Sequence, residues 1–211
     1  MDIHTRLYLV RHGQVTNHLD GTCNGQNDVD ITELGIGQME AVADRLRDEN
    51  LAAVYSSDLI RTRRGGEIIS EAHGLIPEQC SALKELDFGL WEGLNIDQIE
   101  ERFPGTLDER RRKIVEYRVP EGESIGDLAA RVMPAVKKIL DAHHGKNVVM
   151  VAHGGVNRII LADAMNLDLK NFYSIEQDFG CLNVIDYFPG FAVVKLMNGQ
   201  PQTRHRVVNS P

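Results

Sequence analysis

Two apolar runs that both end in His-Gly constrain the fold more than any other feature of the chain. The run at residues 7–10 is followed by Arg11 and His12, the run at 148–152 is followed by His153, and a glycine comes next in both. Continuous apolar runs of this length are typical of parallel strands that helices cover on both faces. Ligands of parallel α/β sheets collect at the carboxyl ends of the strands. We therefore expect His12 and His153 to lie in one crevice.

Helix and strand patterns alternate along the rest of the chain. One helix is predicted to begin at Thr32, which suits an N-cap, and a second after Ser57 and Asp58, which suit its cap. A third helix is predicted to begin at Ser124. Further strands are predicted at residues 52–56, 181–188 and 191–197, the last two as a hairpin around Pro189-Gly190. This order predicts one α/β domain over residues 1–211, with a mostly parallel sheet and an antiparallel hairpin at one edge.

Charge and cysteine content disfavour several kinds of partner and site. The net charge of −8 argues against a general nucleic-acid or anionic-membrane binder, although a local cluster of Arg and His can still hold a small phosphate. The residues after Met1 show no secretory pattern, and no apolar run approaches the length that spans a bilayer. The three cysteines are widely spaced, which disfavours a disulfide framework or a thiolate zinc site. We therefore expect a cytoplasmic protein.

An Arg-His pair at a strand end suits phosphoryl transfer. Because charge spreads over three equatorial oxygens in the transition state, catalysis is mostly positioning and electrostatic stabilisation. Arginine forks match those oxygens, and a neutral imidazole can attack phosphorus and carry the phosphoryl group. A carboxylic acid must then protonate the leaving oxygen. The alternative, a structural pair of half-buried histidines, does not explain why an apolar strand should end in Arg11 and His12.

Five sequence blocks, in order, resemble the histidine phosphatase superfamily, also called the phosphoglycerate mutase-like family. The blocks are RHG at 11–13, SSDLIRT at 56–62, KELDFGLWEG at 84–93, GES at 122–124 and AHGG at 152–155. The resemblance extends from residue 6 to about residue 205. It implies a three-layer α/β/α sandwich on a mixed, mostly parallel sheet, with no metal and no cofactor.

The resemblance also implies roles for individual residues. By similarity, His12 is the nucleophile that becomes phosphorylated, and Glu85 is the general acid that later acts as a base on water. The other side chains expected around the phosphate are Arg11, Arg61 and His153, and the backbone N–H of Gly154 is expected to reach the same phosphate. Phosphate or substrate contacts are also expected from Asn17, His18, Asn24 and Gly25.

Several of these assignments have rivals nearby in the sequence. Arg64 shares a helix face with Arg61, and we prefer Arg61 on its motif position. Asp87 lies two residues from Glu85, so in an extended chain both would face the same side. We prefer Glu85 as the acid on the same ground, and we expect Glu92 to be a structural hydrogen-bond acceptor.

The chain departs from the family pattern just after the first histidine. The family usually continues with Glu-Thr and then has an Asn where this chain has His18, whereas here Gln14 and Val15 follow Gly13. Asn17 precedes that position, so either Asn17 or His18 is expected to contact the phosphate.

Three further features have a structural and a functional interpretation. The family often has Thr-Ala where this chain has Gly65 and Gly66, and two glycines in a helix either loosen it or allow close packing. Trp91 is expected in the core rather than as a substrate platform. The basic run 110–113 is expected on a solvated helix face rather than in an anion site.

The short segment between Glu85 and His153 resembles the phosphatase branch of the family, including α-ribazole phosphatases and broad-specificity phosphatases. The expected function is metal-independent hydrolysis of a small phosphomonoester through phosphohistidine. The alternatives are a cofactor-dependent phosphoglycerate mutase, which the stretch 27–32 resembles, and a non-catalytic sensor of a phosphorylated ligand. The expected partner is a small phosphorylated metabolite, not nucleic acid or membrane, and the chain is compatible with a homodimer.

Overall fold

A computed structural model of the protein describes residues 4–202. Residues 1–3 and 203–211, the two ends of the domain predicted over 1–211, lie outside the described residues, as does the last part of the family resemblance beyond 202. The described strands are β1 Thr5–Arg11, β2 Leu51–Ser56, β3 Glu78–Gln79, β4 Asn147–Ala152, β5 Leu182–Phe188 and β6 Phe191–Gly199. The described α-helices are α1 Glu33–Leu46, α2 Ile60–Glu71, α3 Ile96–Arg102, α4 Thr106–Arg112, α5 Ile125–Ala142 and α6 Gly154–Ala164.

The strands form one mixed sheet in the order β3-β2-β4-β1-β5-β6. The strands β3, β2, β4 and β1 pair in parallel, and β5 and β6 are antiparallel. The predicted mixed, mostly parallel sheet with an antiparallel hairpin at one edge is therefore confirmed. The two-residue strand β3 was not predicted, since so short a strand has no detectable period.

Helices cover both faces of this sheet, because successive residues of a strand point to opposite sides. Leu7 and Leu9 of β1 join the core cluster formed with α5 and α6. Tyr8 and Val10, the alternate residues, join the cluster formed with α1 and α2. This arrangement is why the strand sequence is apolar throughout rather than alternating, and it gives the three layers that the family resemblance implies.

Helix α2 begins differently from the sequence expectation. The prediction that Ser57 and Asp58 cap it is wrong, because α2 starts at Ile60 and has Leu59 at its N-cap position without a side-chain cap. The Ile60 N–H instead donates to the carboxylate of Asp28 at 2.6 Å. A loop distant in sequence thus supplies the cap, which local sequence reasoning does not detect. Thr32 caps α1 as predicted, its hydroxyl accepting from the Gly35 N–H.

Close packing explains the first of the two glycines in α2. A Cβ on Gly65 would lie 2.8 Å from Sδ of Met39 and 3.1 Å from a methyl of Val151. Gly65 therefore lets α2 lie directly against α1 and the sheet, which decides between the two interpretations of this position.

Residues 83–122 form short helices and turns around a small core of their own. Trp91 is fully buried there and stacks on Tyr117, so its predicted core position is confirmed. Arg111 of α4 and Lys113 at its C-cap pair with Asp108 and Glu109 at the surface, as expected for a solvated helix face. Arg110 differs, since its guanidinium lies over the rings of Phe88 and Trp91.

Within residues 4–202, no helix combines the length and the apolar character needed to cross a lipid bilayer.

Candidate active site

The register of β1 and β4 brings the two predicted histidines together. Arg11 pairs with Ala152 in the parallel ladder, so His12 and His153 follow adjacent strand ends. Their ring centroids lie 5.3 Å apart, and their exposed fractions are 5% and 0%. The crevice predicted from the two His-Gly strand ends is therefore present.

His12 is held in one tautomer by its neighbour. Its Nδ1 lies 2.8 Å from the carbonyl oxygen of Gly13. Because a carbonyl oxygen can only accept, Nδ1 carries the proton and Nε2 carries a free lone pair. The pKa of His12 is lowered well below its usual value, first by burial and then by the charges of Arg11 and Arg61. The ring is therefore neutral and has the protonation state of a nucleophile.

His153 is fixed from both ring nitrogens. Arg61 donates from Nε to Nδ1 of His153 at 3.2 Å, so the proton lies on Nε2, which donates to the hydroxyl of Ser57 at 2.8 Å. The Ser57 hydroxyl is 2.6 Å from that of Thr62. Burial, followed by the charges of Arg61, His12 and nearby arginines, also lowers the pKa of His153 well below its usual value.

Arg11 is partly buried between an aromatic ring and a backbone carbonyl. Its guanidinium carbon lies 4.0 Å from the centroid of Phe179, and Nη1 donates to the carbonyl oxygen of Gln177 at 2.6 Å. The side chains of Gln177 and Asn183 exchange hydrogen bonds, and Asn183 also donates to the carbonyl oxygen of Leu9 in β1. This buried amide pair ties the segment under Arg11 to the strand that carries it.

Arg61 lies in the pocket and also holds a loop. It is only 1% exposed and donates to the backbone carbonyls of Asn24, Gly25 and Asn27. On the other side of the same loop, Glu92 accepts from the N–H groups of residues 25, 26 and 27 and of Phe88. The expectation that Glu92 is a structural hydrogen-bond acceptor is therefore confirmed.

Arg64, the rival of Arg61, lies outside this site. Its guanidinium pairs with Asp30 at 2.7 Å, and 40% of its side chain is exposed. Although Arg64 follows Arg61 by three residues, about one helical turn, only Arg61 reaches the histidines.

Glu85 borders the pocket at the start of α6. Its Oε2 accepts from the N–H of Gly155 at 3.0 Å, and its Oε1 accepts from the N–H of Leu86 at 2.9 Å. A Cβ on Gly155 would lie 2.3 Å from Oε1, so only glycine admits the carboxylate at this point. Asp87 points elsewhere and accepts from the N–H of Gly89 in a turn, because residues 84–88 are not an extended strand.

These residues surround a pocket of about 290 Å³. Its lining includes Arg11, His12, Arg61 and Glu85 and, on the loop side, Asn17, His18 and Asn24, with Val15, Gly21, Thr22, Cys23, Phe88 and Phe179 completing the wall. His153 lies behind the pocket, Gly25 lies in the held loop, and Gly154 opens α6, where the first N–H groups lack intrahelical acceptors.

Both candidates for the phosphate contact near residue 18 reach the pocket wall. Asn17 exchanges side-chain hydrogen bonds with Asn24, which commits its amide to the loop. His18 Nδ1 lies 3.0 Å from the carbonyl oxygen of Val15, which leaves Nε2 as its outward nitrogen.

Sequence reasoning missed Phe179, which lines the pocket, and Arg158, which lies beside Arg11 at the start of α6. Phe179 stacks against Arg11 and lies 5.7 Å from the His12 ring, but it lies in a segment without a motif. Arg158 lies one helical turn after Gly154, and side chains on a helix point toward its N-terminus. That spacing was a signal that could have found it.

No group of three or more His, Cys, Asp and Glu side chains in the described part of the chain is arranged to hold a metal ion. A larger cavity of about 720 Å³ lies between α5 and the β5–β6 hairpin and includes none of the residues of the candidate site.

Comparison with known proteins gives a family and several relatives. The sequence matches the family model of the histidine phosphatase superfamily (branch 1) over residues 7–200. A relative from Escherichia coli O1:K1, named "Probable phosphoglycerate mutase GpmB", is 36% identical over 149 residues, which are 71% of this chain and 69% of the relative.

Solved structures of phosphatases share the fold over nearly the whole chain. A mycobacterial glucosyl-3-phosphoglycerate phosphatase gives a TM-score of 0.83 at 28% identity and covers 92% of this chain and 98% of its own. An α-ribazole phosphatase from Shigella flexneri gives a TM-score of 0.85 at 23% identity, covering 92% and 96%, which is a likeness of fold. The resemblance seen in the sequence blocks is confirmed, and the chain belongs to branch 1 of the histidine phosphatase superfamily.

Proposed function

We propose that the protein is a metal-independent phosphatase that hydrolyses a small phosphomonoester through a phosphohistidine on His12. The observation that carries this proposal is the state of His12. It is buried, neutral and protonated on Nδ1, and it lies between Arg11, Arg61 and His153 in a pocket that Glu85 borders.

In the first step, the Nε2 lone pair of His12 attacks the phosphorus atom. A P–N bond forms while the bond between phosphorus and the ester oxygen breaks. Glu85 enters this step as the carboxylic acid and gives its proton to the leaving oxygen, which departs as an alcohol. Arg11 and Arg61 meet the charge that spreads over the three equatorial oxygens.

In the second step, water attacks the phosphohistidine. The Glu85 carboxylate accepts a proton from this water as its oxygen bonds to phosphorus, and the P–N bond breaks. Inorganic phosphate leaves, His12 recovers its lone pair, and Glu85 recovers its proton. His153 holds Arg61 in place throughout, because its Nδ1 accepts from that guanidinium.

The pocket size favours a small phosphorylated metabolite as substrate, and the cysteines bear on the compartment. The pocket volume of about 290 Å³ suits a phosphate with a short attached group. The three cysteines are free thiols in the structure, in keeping with the cytoplasmic setting that we propose for such a metabolite enzyme.

One observation favours phosphoglycerate mutase as a second candidate. The E. coli relative that is 36% identical to this chain carries that name. A mutase would use the same phosphohistidine but return the phosphoryl group to a phosphoglycerate instead of to water.

A turnover screen over phosphomonoesters tests the two candidates together. It includes 3-phosphoglycerate with and without 2,3-bisphosphoglycerate and measures both released inorganic phosphate and 2-phosphoglycerate. We expect inorganic phosphate to accumulate without added bisphosphate. Formation of 2-phosphoglycerate that depends on the bisphosphate would favour the mutase, and no turnover on any ester would favour a non-catalytic sensor.

A further inference from the structure

The segment that carries Glu85 has no regular secondary structure. Residues 84–88 form neither helix nor strand, so their backbone N–H and C=O groups need partners from other parts of the chain. The Glu85 carboxylate accepts from the N–H groups of Gly155 and of Leu86, which follows it in the same segment. The position of the proposed acid therefore depends on what fixes this stretch of backbone.

One arginine of α5, Arg131, supplies donors to the carbonyls of this segment. Its Nη1 donates to the carbonyl oxygens of Ala82 at 2.9 Å and Lys84 at 3.0 Å, and its Nη2 donates to that of Glu85 at 3.2 Å. The carbonyls of Lys84 and Glu85 belong to the two peptide groups that flank the Cα of Glu85. The guanidinium therefore fixes the direction in which the Glu85 side chain leaves the backbone.

Glu123 holds Arg131 and also the residues that follow Glu85. Its two carboxylate oxygens accept from Nε and Nη2 of Arg131 at 2.8 Å and 2.7 Å, which is the bidentate geometry of a strong charge-assisted pair. Oε2 of Glu123 also accepts from the N–H of Asp87 at 3.1 Å, and the N–H of Glu123 donates to the carbonyl oxygen of Asp87 at 2.9 Å. The ion pair thus binds the segment both before and after Glu85.

The block GES at 122–124, which the proposed reaction does not use, builds this arrangement. A Cβ on Gly122 would lie 2.4 Å from the carbonyl oxygen of Asp87, so glycine lets this backbone come close to the segment. Ser124 begins α5 with a capping box. Arg131 follows Ser124 by about two helical turns, so the cap and the arginine lie on one side of α5.

We propose that Arg131 and Glu123 are positioning residues for the proposed acid, and that their ion pair keeps the Glu85 carboxyl within reach of the leaving oxygen. This inference rests on the proposed function. Neither Arg131 nor Glu123 lines the pocket, so each acts through Glu85 rather than on the substrate. Because proton transfer requires hydrogen-bond distance, a shift of the acid by about 1 Å can reduce the rate by ~10²-fold.

Arg131→Gln and Arg131→Lys test the inference with two phosphomonoesters. The leaving group of glycerol 3-phosphate is an alcohol and needs protonation, whereas p-nitrophenyl phosphate releases an acidic phenol and needs little. In Arg131→Gln we expect kcat on glycerol 3-phosphate to fall by about 10–10²-fold, at least about tenfold more than kcat on p-nitrophenyl phosphate. Arg131→Lys should recover part of this loss, because an ammonium group keeps the charge that pairs with Glu123 but reaches fewer carbonyls.

A double variant, Arg131→Gln with Glu85→Gln, separates positioning from a general structural effect. Once residue 85 cannot donate a proton, displacing it has little further consequence. Adding Arg131→Gln to Glu85→Gln should therefore change kcat on glycerol 3-phosphate by less than about twofold, the mark of residues that act as a unit.

Two further variants complete the comparison, with circular dichroism to verify the fold of each. Glu123→Gln removes the charge of the pair but keeps an acceptor for the Asp87 N–H, so it should reproduce the effect of Arg131→Gln with a smaller change to the backbone contacts. Arg111→Gln is the matched control, since it breaks an arginine–carboxylate pair with Asp108 at the surface. It should change kcat on neither ester.

A loss in Arg131→Gln and Glu123→Gln that is equal on the two esters would overturn the inference, since it would mean that the pair has only a structural role. Unchanged kcat in both variants, or a full further loss when Arg131→Gln is added to Glu85→Gln, would also overturn it. A wild-type protein that hydrolyses neither ester, or a Glu85→Gln variant that loses equally on both, would instead contradict the proposed function.

Discussion

Burial determines the chemistry of His12. An imidazole enclosed by protein and by two guanidinium groups is disfavoured in its protonated form, so the Nε2 lone pair is available at neutral pH. The same guanidinium groups attract the phosphate that this lone pair is proposed to attack. The charges that keep His12 neutral therefore also favour binding of its substrate.

The lowered pKa values of His12 and His153 predict how stability depends on pH. The unfolded chain binds protons near the ordinary histidine pKa of about 6.5, whereas the folded protein does so only at lower pH. Above about pH 6.5 these groups therefore leave the free energy of unfolding unchanged. As the pH decreases below that value, they lower the free energy of unfolding by up to about 1.4 kcal/mol per pH unit for each group. Urea unfolding in phosphate-free buffer measures this slope. The pH runs from about 7.5 to about 5.5, so that it covers one unit on either side of the ordinary histidine pKa.

His153→Gln is the variant that isolates one of these groups. Its unfolding free energy is expected to be lower at every pH, because Ser57 and Arg61 lose their partner. Its slope below pH ~6.5 should nevertheless be shallower than that of the wild type. An unchanged slope would contradict the assignment of a buried, neutral His153.

Glu85→Gln tests the proposed proton donor. An amide cannot protonate the leaving oxygen, so hydrolysis of alkyl phosphates should fall by about 10²–10⁴-fold. Aryl phosphates with acidic leaving groups need little protonation and should lose much less. The measurement is kcat/KM across a series of leaving groups.

Asp87→Asn is the matched control for this substitution. It removes the same charge two residues away, where the carboxylate closes a turn onto the Gly89 N–H. It should preserve the wild-type dependence on the leaving group. If Asp87→Asn steepens that dependence and Glu85→Gln does not, the acid has been assigned to the wrong residue.

At the scale of elements, the start of α6 fixes the geometry of the site. Gly155→Ala places a methyl group 2.3 Å from the present position of Glu85 Oε1, so the carboxylate must move. We expect kcat on alkyl phosphates to fall by at least about tenfold, since proton transfer requires hydrogen-bond contact. Steady-state kinetics with circular dichroism to verify the fold checks this.

Gly37→Ala in α1 is the control for helix propensity. A Cβ at Gly37 meets nothing within 4 Å, so this variant should keep full activity and gain up to about 1 kcal/mol of stability. Full activity in Gly155→Ala would contradict the view that this helix start positions Glu85.

Local patterns were sufficient to predict much of the framework. The apolar runs at β1 and β4 predicted buried parallel strands, and Thr32 predicted the start of α1. The cap of α2 could not be predicted, because the carboxylate of Asp28 that supplies it is 32 residues away in sequence. Its position depends on the whole loop being folded.

The candidate site, like the framework, could be predicted from the sequence only in part. The strand ends predicted that His12 and His153 meet, because parallel register requires it. The choice of Glu85 over Asp87 as the acid rested on family position alone, since the alternation of an extended chain would have placed both side chains on one side. Phe179 approaches Arg11 through tertiary packing alone, and no sequence period marks it.

At the scale of the whole molecule, a positive pocket lies within a negative protein. The net charge is −8, yet Arg11, Arg61 and Arg158 converge near one helix start. Short-range contacts with phosphate are screened less than distant surface charges, so the local sign decides what binds.

The arginine-lined pocket predicts that turnover is independent of divalent cations. Prolonged incubation with EDTA, followed by assay of aryl phosphate hydrolysis, should leave kcat unchanged. A large loss of activity that added Mg²⁺ or Zn²⁺ restores would contradict the proposed metal-independent reaction.

The most direct test of the central claim is to trap the phosphoenzyme. The protein is quenched in alkali during turnover, because phosphohistidine survives there, and peptide mapping by mass spectrometry locates the added phosphoryl group. We predict phosphorylation of His12 in the wild type, with neither phosphoenzyme nor turnover in His12→Ala. Phosphate on another residue, or turnover that persists in His12→Ala, would contradict the account.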